Sequence, residues 1–154
     1  MQTIDQLIAS APVFAGLERS QLELIAGCGV LTHRDANEYI QREGDPASMF
    51  FLIRRGTVAL EVHGPATGPL VVETLGAGEA VGWSWLFAPY RWQFDARTVT
   101  SCSLIALDGQ CIQGKCESDH ELGYQLMRRF AAVMVDRLQA TRLQLLDVYG
   151  RVGQ

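Results

Sequence analysis

Lysine is nearly absent: Lys115 is the only one among the 13 basic residues, no basic run occurs, and the net charge is -4. A large nucleic-acid footprint is thereby excluded, because neutralising phosphates requires clustered cations. No run approaches the roughly 18 consecutive apolar residues of a membrane span. The N-terminus, Met1 to Gln6, lacks the basic and apolar regions of a signal peptide, so the expectation is a cytoplasmic chain with neither a nucleic-acid nor a membrane partner. The three histidines, His33, His63 and His120, are scattered, so neither a metal triad nor a histidine with a positioned nucleophile is legible. Gly-x-Ser-x-Gly, phosphate-loop and dinucleotide fingerprints are missing as well. An enzyme is not expected.

Cysteine is sparse too: Cys28, Cys102, Cys111 and Cys116. Zinc sites show two short Cys/His pairs, and only Cys111 and Cys116 are close. Cys28 and Cys102 stand alone in apolar segments, where a thiol behaves as a small hydrophobe. The expectation is therefore buried or incidental thiols. A redox or metal role for Cys111 and Cys116 is the alternative, with Cys116 placed near a helix start that lowers its pKa.

What is present is a globular composition, 48% hydrophobic and 19% charged, of a length suited to one domain. Thr3 to Ala11 carries Ile4, Leu7 and Ile8 at helical spacing. A second helix carries Leu22, Leu24 and Ile25, with Leu17 at its border, and ends at Gly27 and Gly29. These two helices are expected to be lids or struts outside the core. From 30 to 107 short Val, Ile, Phe and Thr runs alternate with Gly, Pro and Asp every eight to twelve residues. The strands expected are 30–34, 38–42, 49–54, 57–63, 70–75, 79–82, 93–99 and 102–107, with a hairpin tip at 64–69. Eight such strands predict a two-sheet jelly roll. The division expected is N-terminal helices at 1–29, the jelly roll at 30–107 and C-terminal helices at 108–154.

After Asp108 the helical period returns. Ser118 and Glu121 form a capping-box pattern that opens a helix reaching Tyr149, roughly 45 Å long at the standard rise. Leu122, Leu126, Phe130 and Val133 form a stripe suited to docking on the barrel. Met127, Ala131, Met134, Leu138, Thr141, Leu145 and Val148 form a second, with coiled-coil spacing, which predicts a parallel homodimer. A helix wrapped against its own domain accounts for the same stripe.

The stretch from Gly78 to Thr98 holds all three tryptophans, Trp83, Trp85 and Trp92. Gly78 and Gly82 permit positive φ or close approach of a ligand. A short helix starting at Ser84 would point free amides at an anion, with Arg91 and Arg97 as nearby cations. This stretch reads as a small-molecule pocket.

Several segments in order resemble the cyclic-nucleotide-binding domain of the catabolite activator and fumarate-nitrate regulator type. Val13 to Leu17 is similar to its entry, Gly44-Asp45-Pro46 through Met49 to Leu60 to its Gly-Asp, strand, Gly, strand signature, and Gly78 to Thr98 to its phosphate-binding cassette. Leu138 to Arg142 with Asp147 to Arg151 resembles its dimerisation helix and hinge. The resemblance implies a double-stranded β-helix jelly roll, mainly β with flanking helices, followed by a long C-terminal dimerisation helix. It implies a small effector, a homodimer and a protein partner that receives the signal. DNA recognition is not expected to carry over, because the chain is expected to be a stand-alone domain without the helix-turn-helix that follows the hinge in the regulators.

The ligand-binding residues expected from the cassette are Gly82, Trp83, Ser84, Trp85, Arg91, Ala96, Arg97 and Thr98, together with Thr141, which the resemblance matches to a threonine reaching across the dimer. The cassette departs from the resemblance at two places. Trp83 stands where a glutamate accepts from the ribose, and an indole only donates. Phe94 and Asp95 precede Ala96 where an arginine and a hydroxyl residue hold the phosphate, and a carboxylate repels that group. Two readings stay open. In one, Arg91 or Arg97 takes an anion and Trp83 or Trp85 stacks on a flat group of a cyclic nucleotide or other small anionic ligand. In the other, the tryptophans fill the chamber and the arginines pair with Asp95 or Glu79. The expected function is a non-enzymatic effector-binding or signalling domain, with a dimerising structural adaptor as the alternative.

Overall fold

Residues 49–53 and 104–107 are apolar at every position, which on a strand means burial on both faces, since alternate side chains point to opposite sides. In a computed structural model, which describes residues 2–64, 66 and 68–152 (the last two by backbone alone), these segments lie in strands β3 (Met49–Arg55) and β8 (Cys102–Asp108). They pair antiparallel with Leu52 opposite Ile105. Phe51, Ile53, Leu104 and Ala106 point inward to one apolar cluster, and Phe50, Leu52, Ile105 and Leu107 point outward to a second.

The remaining strands are β1 (Gly29–Arg34), β2 (Tyr39–Gln41), β4 (Val58–Gly64), β5 (Gly68–Leu75), β6 (Ala80–Val81) and β7 (Asp95–Thr98). They form two antiparallel four-stranded sheets of order β1-β8-β3-β6 and β2-β7-β4-β5. Every strand predicted from the sequence is present. The inner cluster between the sheets adds Val58, Leu60, Leu75, Val81 and Ala96. Gly56, between β3 and β4, has φ +100°, and a Cβ there would lie 2.5 Å from the Ser101 carbonyl oxygen, so only glycine fits the turn. The hairpin tip expected at 64–69 is shorter, because Gly64 already pairs with Gly68 and His63 with Pro69. Pro65 and Thr67 lie outside the described residues.

The outer cluster lies beneath helices. Helix α1 (Ile4–Ala9), a 3-10 turn at Pro12–Phe14 and α2 (Arg19–Ala26) contribute Ile8, Val13, Phe14 and Ile25, each at 2% exposure or less. The expectation that the N-terminal helices stand outside the core is thus corrected: each short helix carries polar residues, but its apolar side shares with the C-terminal helices the task of covering the outer face of β3 and β8. Leu17 lies before α2 and is buried there.

Helix α3 (Gly109–Ser118) is capped by Asp108, whose carboxylate accepts from the Gln110 and Cys111 amides. Helix α4 (His120–Val152) follows. Its cap is Asp119, which accepts from the Leu122 amide at 3.2 Å. The expected Ser118 cap is corrected, because Ser118 still belongs to the last turn of α3 and only Asp119 has the extended backbone, φ -134° and ψ 93°, that a cap requires. Leu122, Leu126 and Phe130 of α4 are buried in the outer cluster, with Val133 half-buried beside them. Beyond Arg137 the helix stands clear of the sheets, with Leu138, Leu143, Leu145, Leu146 and Val148 all more than half exposed. Among the described residues no helix is long and apolar enough to cross a membrane.

Candidate functional site

The cassette leaves β6 at Val81, turns at Gly82 (φ +95°), runs through a 3-10 turn at Ser84–Leu86 and returns at Asp95 as β7. Its chamber is lined by Gln41, Leu60, Gly82, Trp83, Ser84, Trp92, Gln93, Phe94 and Arg137, and has a free volume of about 20 Å³. That is room for one water, whereas drug-sized ligands occupy pockets of about 300–1,000 Å³.

Trp92 closes it. The ring is buried and lies directly on Gly82. Its backbone is pinned at both ends, the amide donating to the Asp45 carbonyl at 3.0 Å and the carbonyl accepting from the Gly44 amide at 2.8 Å.

The other two tryptophans have their faces taken. Trp83 carries the Arg137 guanidinium at 4.7 Å from its ring centre. Trp85 is buried in the outer cluster, stacked on Phe50 at 4.7 Å and edge-on to Phe130 at 5.6 Å, and its Nε1 has no partner. The structure therefore separates Trp85 from the chamber that holds Gly82, Trp83 and Ser84.

The predicted cations also turn elsewhere. Arg91 is exposed and donates to the Gly44 carbonyl at 2.8 Å. Arg97 pairs with the buried Glu61 at 3.1 Å and donates to Asn37. Asp95, 2% exposed, accepts from the Glu43 amide at 2.6 Å and lies 3.6 Å from Arg42. His63 Nε2 approaches its Oδ2 to 2.6 Å without the alignment of a good hydrogen bond. Neither arginine pairs with Asp95 or Glu79 as one reading expected, because Arg42 and His63 already hold Asp95 and Glu79 accepts from the Gly76 amide. Ala96 is buried in β7 opposite Leu60. The Thr98 hydroxyl is consumed by the chain at Asp35 and Glu38. Thr141 is exposed on α4 and bonds back to the Arg137 carbonyl.

Arg137, Gln41 and Gln93 are polar residues of the chamber that the sequence did not single out. Arg137 reaches from α4 to donate to the Ala80 carbonyl at 2.6 Å and lies 3.6 Å from Glu73; its Nη1 is buried without a partner, as is Gln41 Oε1. Burial pulls the Arg137 pKa down, against the attraction of Glu73 and Glu79, and burial likewise raises that of Glu73, with Arg137 opposing. An arginine four residues before Thr141 and seven after Phe130 lies on the barrel-facing side of the helix, a signal that was present in the sequence.

The thiol expectations need correcting. Cys28 and Cys111 form a disulfide across a sequence separation of 83, with Cα atoms 5.7 Å apart. Cys102 and Cys116 are free. Cys116 lies in the last turn of α3, so the expected lowering of its pKa is reversed: burial, with Asp119 adding to it, pushes the thiol up. Among the described residues no three metal-ligating side chains cluster.

Residues 31–119 match the model of the cyclic nucleotide-binding domain. A CRP-like cAMP-activated global transcriptional regulator of Mycobacterium tuberculosis is 23% identical over 156 residues, covering 98% of this chain and 68% of the relative. Among solved structures, a cyclic nucleotide-binding domain from Methylobacillus flagellatus superposes with a TM-score of 0.80 at 15% identity, covering 94% of this chain and 81% of that one. The Thermus thermophilus catabolite activator protein superposes at 0.72 and 22% identity, covering 88% and 62%.

Proposed function

We propose that this chain, which belongs to the cyclic nucleotide-binding domain family, is a non-enzymatic effector-binding domain whose chamber is closed by its own Trp92 and opens to a small ligand. One observation supports this above the others. A chamber of about 20 Å³ still presents an unpartnered acceptor, Gln41 Oε1, and an unpartnered donor, Arg137 Nη1. Leaving such groups buried and unpaired costs about 1–3 kcal/mol each, a cost that a ligand bonding to both would remove.

The ligand class is a small molecule with a flat body, which takes the room of the Trp92 ring on Gly82, and an acceptor or anionic group for Arg137. Cyclic nucleotides fit that description, although Asp95 occupies the place that the family resemblance gives to a phosphate-holding residue. Of the predicted set, Gly82, Trp83 and Ser84 line this site. Arg91, Ala96, Arg97 and Thr98 support its walls, Trp85 backs it, and Thr141 serves a partner copy. The half of α4 beyond Arg137 carries the exposed apolar seam of a homodimer in a cytoplasmic regulator. Arg137, rooted in that helix, carries the state of the chamber to it.

A dimerising adaptor without a ligand is the second reading, favoured by the buried, backbone-pinned Trp92. Thermal shift and calorimetry with cyclic AMP, cyclic GMP and cyclic dinucleotides separate the two. A ligand bound only to the folded state raises the melting temperature by mass action, and Arg137→Gln should remove the response. No response from the wild type or from Trp92→Ala rejects the effector reading in favour of the adaptor.

A further inference from the structure

Helix α3 is held on two sides. On one side, Cys111 in its first turn is bonded to Cys28, the residue just before β1, and the Lys115 ammonium donates to the Leu24 carbonyl at the end of α2 at 2.5 Å. On the other, the Gln113 amide donates to the Trp85 carbonyl, and the backbone of Gly109 lies so close to Trp85 that a Cβ would come within 2.9 Å of its side chain. The disulfide therefore ties the N-terminal helices to a helix that packs directly against the cassette at Trp85. The backbone reinforces the joint, with the Asp108 amide donating to the Cys28 carbonyl at 2.9 Å.

The two remaining thiols are placed so as not to compete. Cys102 is fully buried, with its Sγ directed at the Thr57 and Thr100 carbonyls, and burial raises the pKa of both Cys102 and Cys116. A thiol held protonated is a poor nucleophile toward a disulfide. The bond between Cys28 and Cys111 is thus the one exchangeable pair among the described cysteines, and in a reducing compartment a bond of this kind is transient or sensing.

We propose that Cys28 and Cys111 are a reversible thiol–disulfide pair through which a low-molecular-weight disulfide acts on the cassette, a second input independent of the chamber's ligand. Cys111, the more exposed of the two, attacks one sulfur of oxidised glutathione as its thiolate. One glutathione leaves as a thiolate and takes up a proton. Cys28, 8% exposed, then displaces the second glutathione from Cys111, closing the protein disulfide. The protein loses two protons and two electrons, and one oxidised glutathione becomes two reduced molecules. Reduction reverses each step and leaves Lys115 as the side-chain bond between α2 and α3.

The test uses the whole chain equilibrated in glutathione buffers of graded redox ratio, followed by alkylation and peptide mass spectrometry. Cys28 and Cys111 should pass together from alkylated to linked within the glutathione range, while Cys102 and Cys116 stay thiols. Hydrogen exchange of the same samples should then be on the order of tenfold faster across 83–86 and 109–113 in the reduced form, as expected when a local tie is lost. Closing the long loop should also raise the melting temperature by about 5–15 °C. The Cys28→Ser/Cys111→Ser double variant should exchange like the reduced wild type in every buffer. A pair that never links, or that stays linked across the whole range, overturns the proposal. So does exchange at 83–86 that is identical in the two wild-type forms, which would leave a disulfide that staples helices without reaching the cassette. Neither readout requires a ligand, so failure here is separable from failure of the effector reading.

Discussion

The ring of Trp92 fills the space that any side chain at position 82 would need: a Cβ built on Gly82 would lie 2.2 Å from it. The glycine at φ +95° and the indole are therefore one device, in which absence of a side chain on one strand end admits a large one from the facing loop. Gly82→Ala should destabilise the domain by about 2–4 kcal/mol, through overpacking and left-handed backbone strain together. In a Trp92→Ala background the overpacking part should vanish while the backbone part remains. A double-mutant cycle by urea unfolding measures this coupling, and additive effects would show that the two positions do not share the space.

Asp95 is a buried carboxylate whose partners lie partly in water: the Arg42 and His63 side chains are 52% and 40% exposed. On Asp95→Ala these two turn outward, and the principal lasting loss is the acceptor of the Glu43 amide. The cost should therefore be about 1–3 kcal/mol, that of losing a part-buried hydrogen bond to a charged acceptor, and not the larger cost of a broken, fully buried ion pair. Asp95→Asn keeps the acceptor and should cost less, as read by thermal unfolding.

Glu73 provides a pH test. Burial raises its folded pKa above the ordinary 4.5, against the pull of Arg137. In the window above 4.5 and below the raised value, the folded state holds the proton more tightly than the unfolded one. Stability contributed by this group is thus full below about pH 4.5 and declines as pH rises through the folded pKa. Glu73→Gln should flatten that part of the stability-against-pH curve, measured by denaturant midpoints from pH 4 upward. An unchanged slope would show that the carboxyl is not desolvated in solution.

Leu138 is 60% exposed on α4, in the same seam as Leu145 and Val148. The seam's coiled-coil spacing predicts a dimer in which these side chains are covered. Leu138→Glu should convert a dimeric wild type to monomers by light scattering, with little change in the far-ultraviolet helical signal. A wild type that is monomeric at micromolar concentration contradicts the seam.

Legibility followed the range of the forces. The strands of the two sheets, the docking stripe Leu122, Leu126 and Phe130, and the 3-10 turn at Ser84 were readable in the chain, because alternation and helical spacing are local properties that burial on one face imposes. The N-terminal helices looked like surface struts, since their short apolar faces do not say that β3 and β8 expose a whole sheet face needing cover. The Ser118 and Asp119 caps differ by a break in the helix that neighbouring residues do not announce.

Contacts between segments distant in sequence were settled by folding alone. Cys28 meets Cys111 because α2 and α3 flank the same joint, Arg97 finds Glu61 on the adjacent strand, and Arg137 reaches Trp83 across 54 positions of chain. That Trp92, and neither Trp83 nor Trp85, lies on Gly82 and closes the chamber was likewise decided in three dimensions. All three indoles satisfy the local pattern equally, and only the space over Gly82, the ring of Phe50 and the guanidinium from α4 distinguish them.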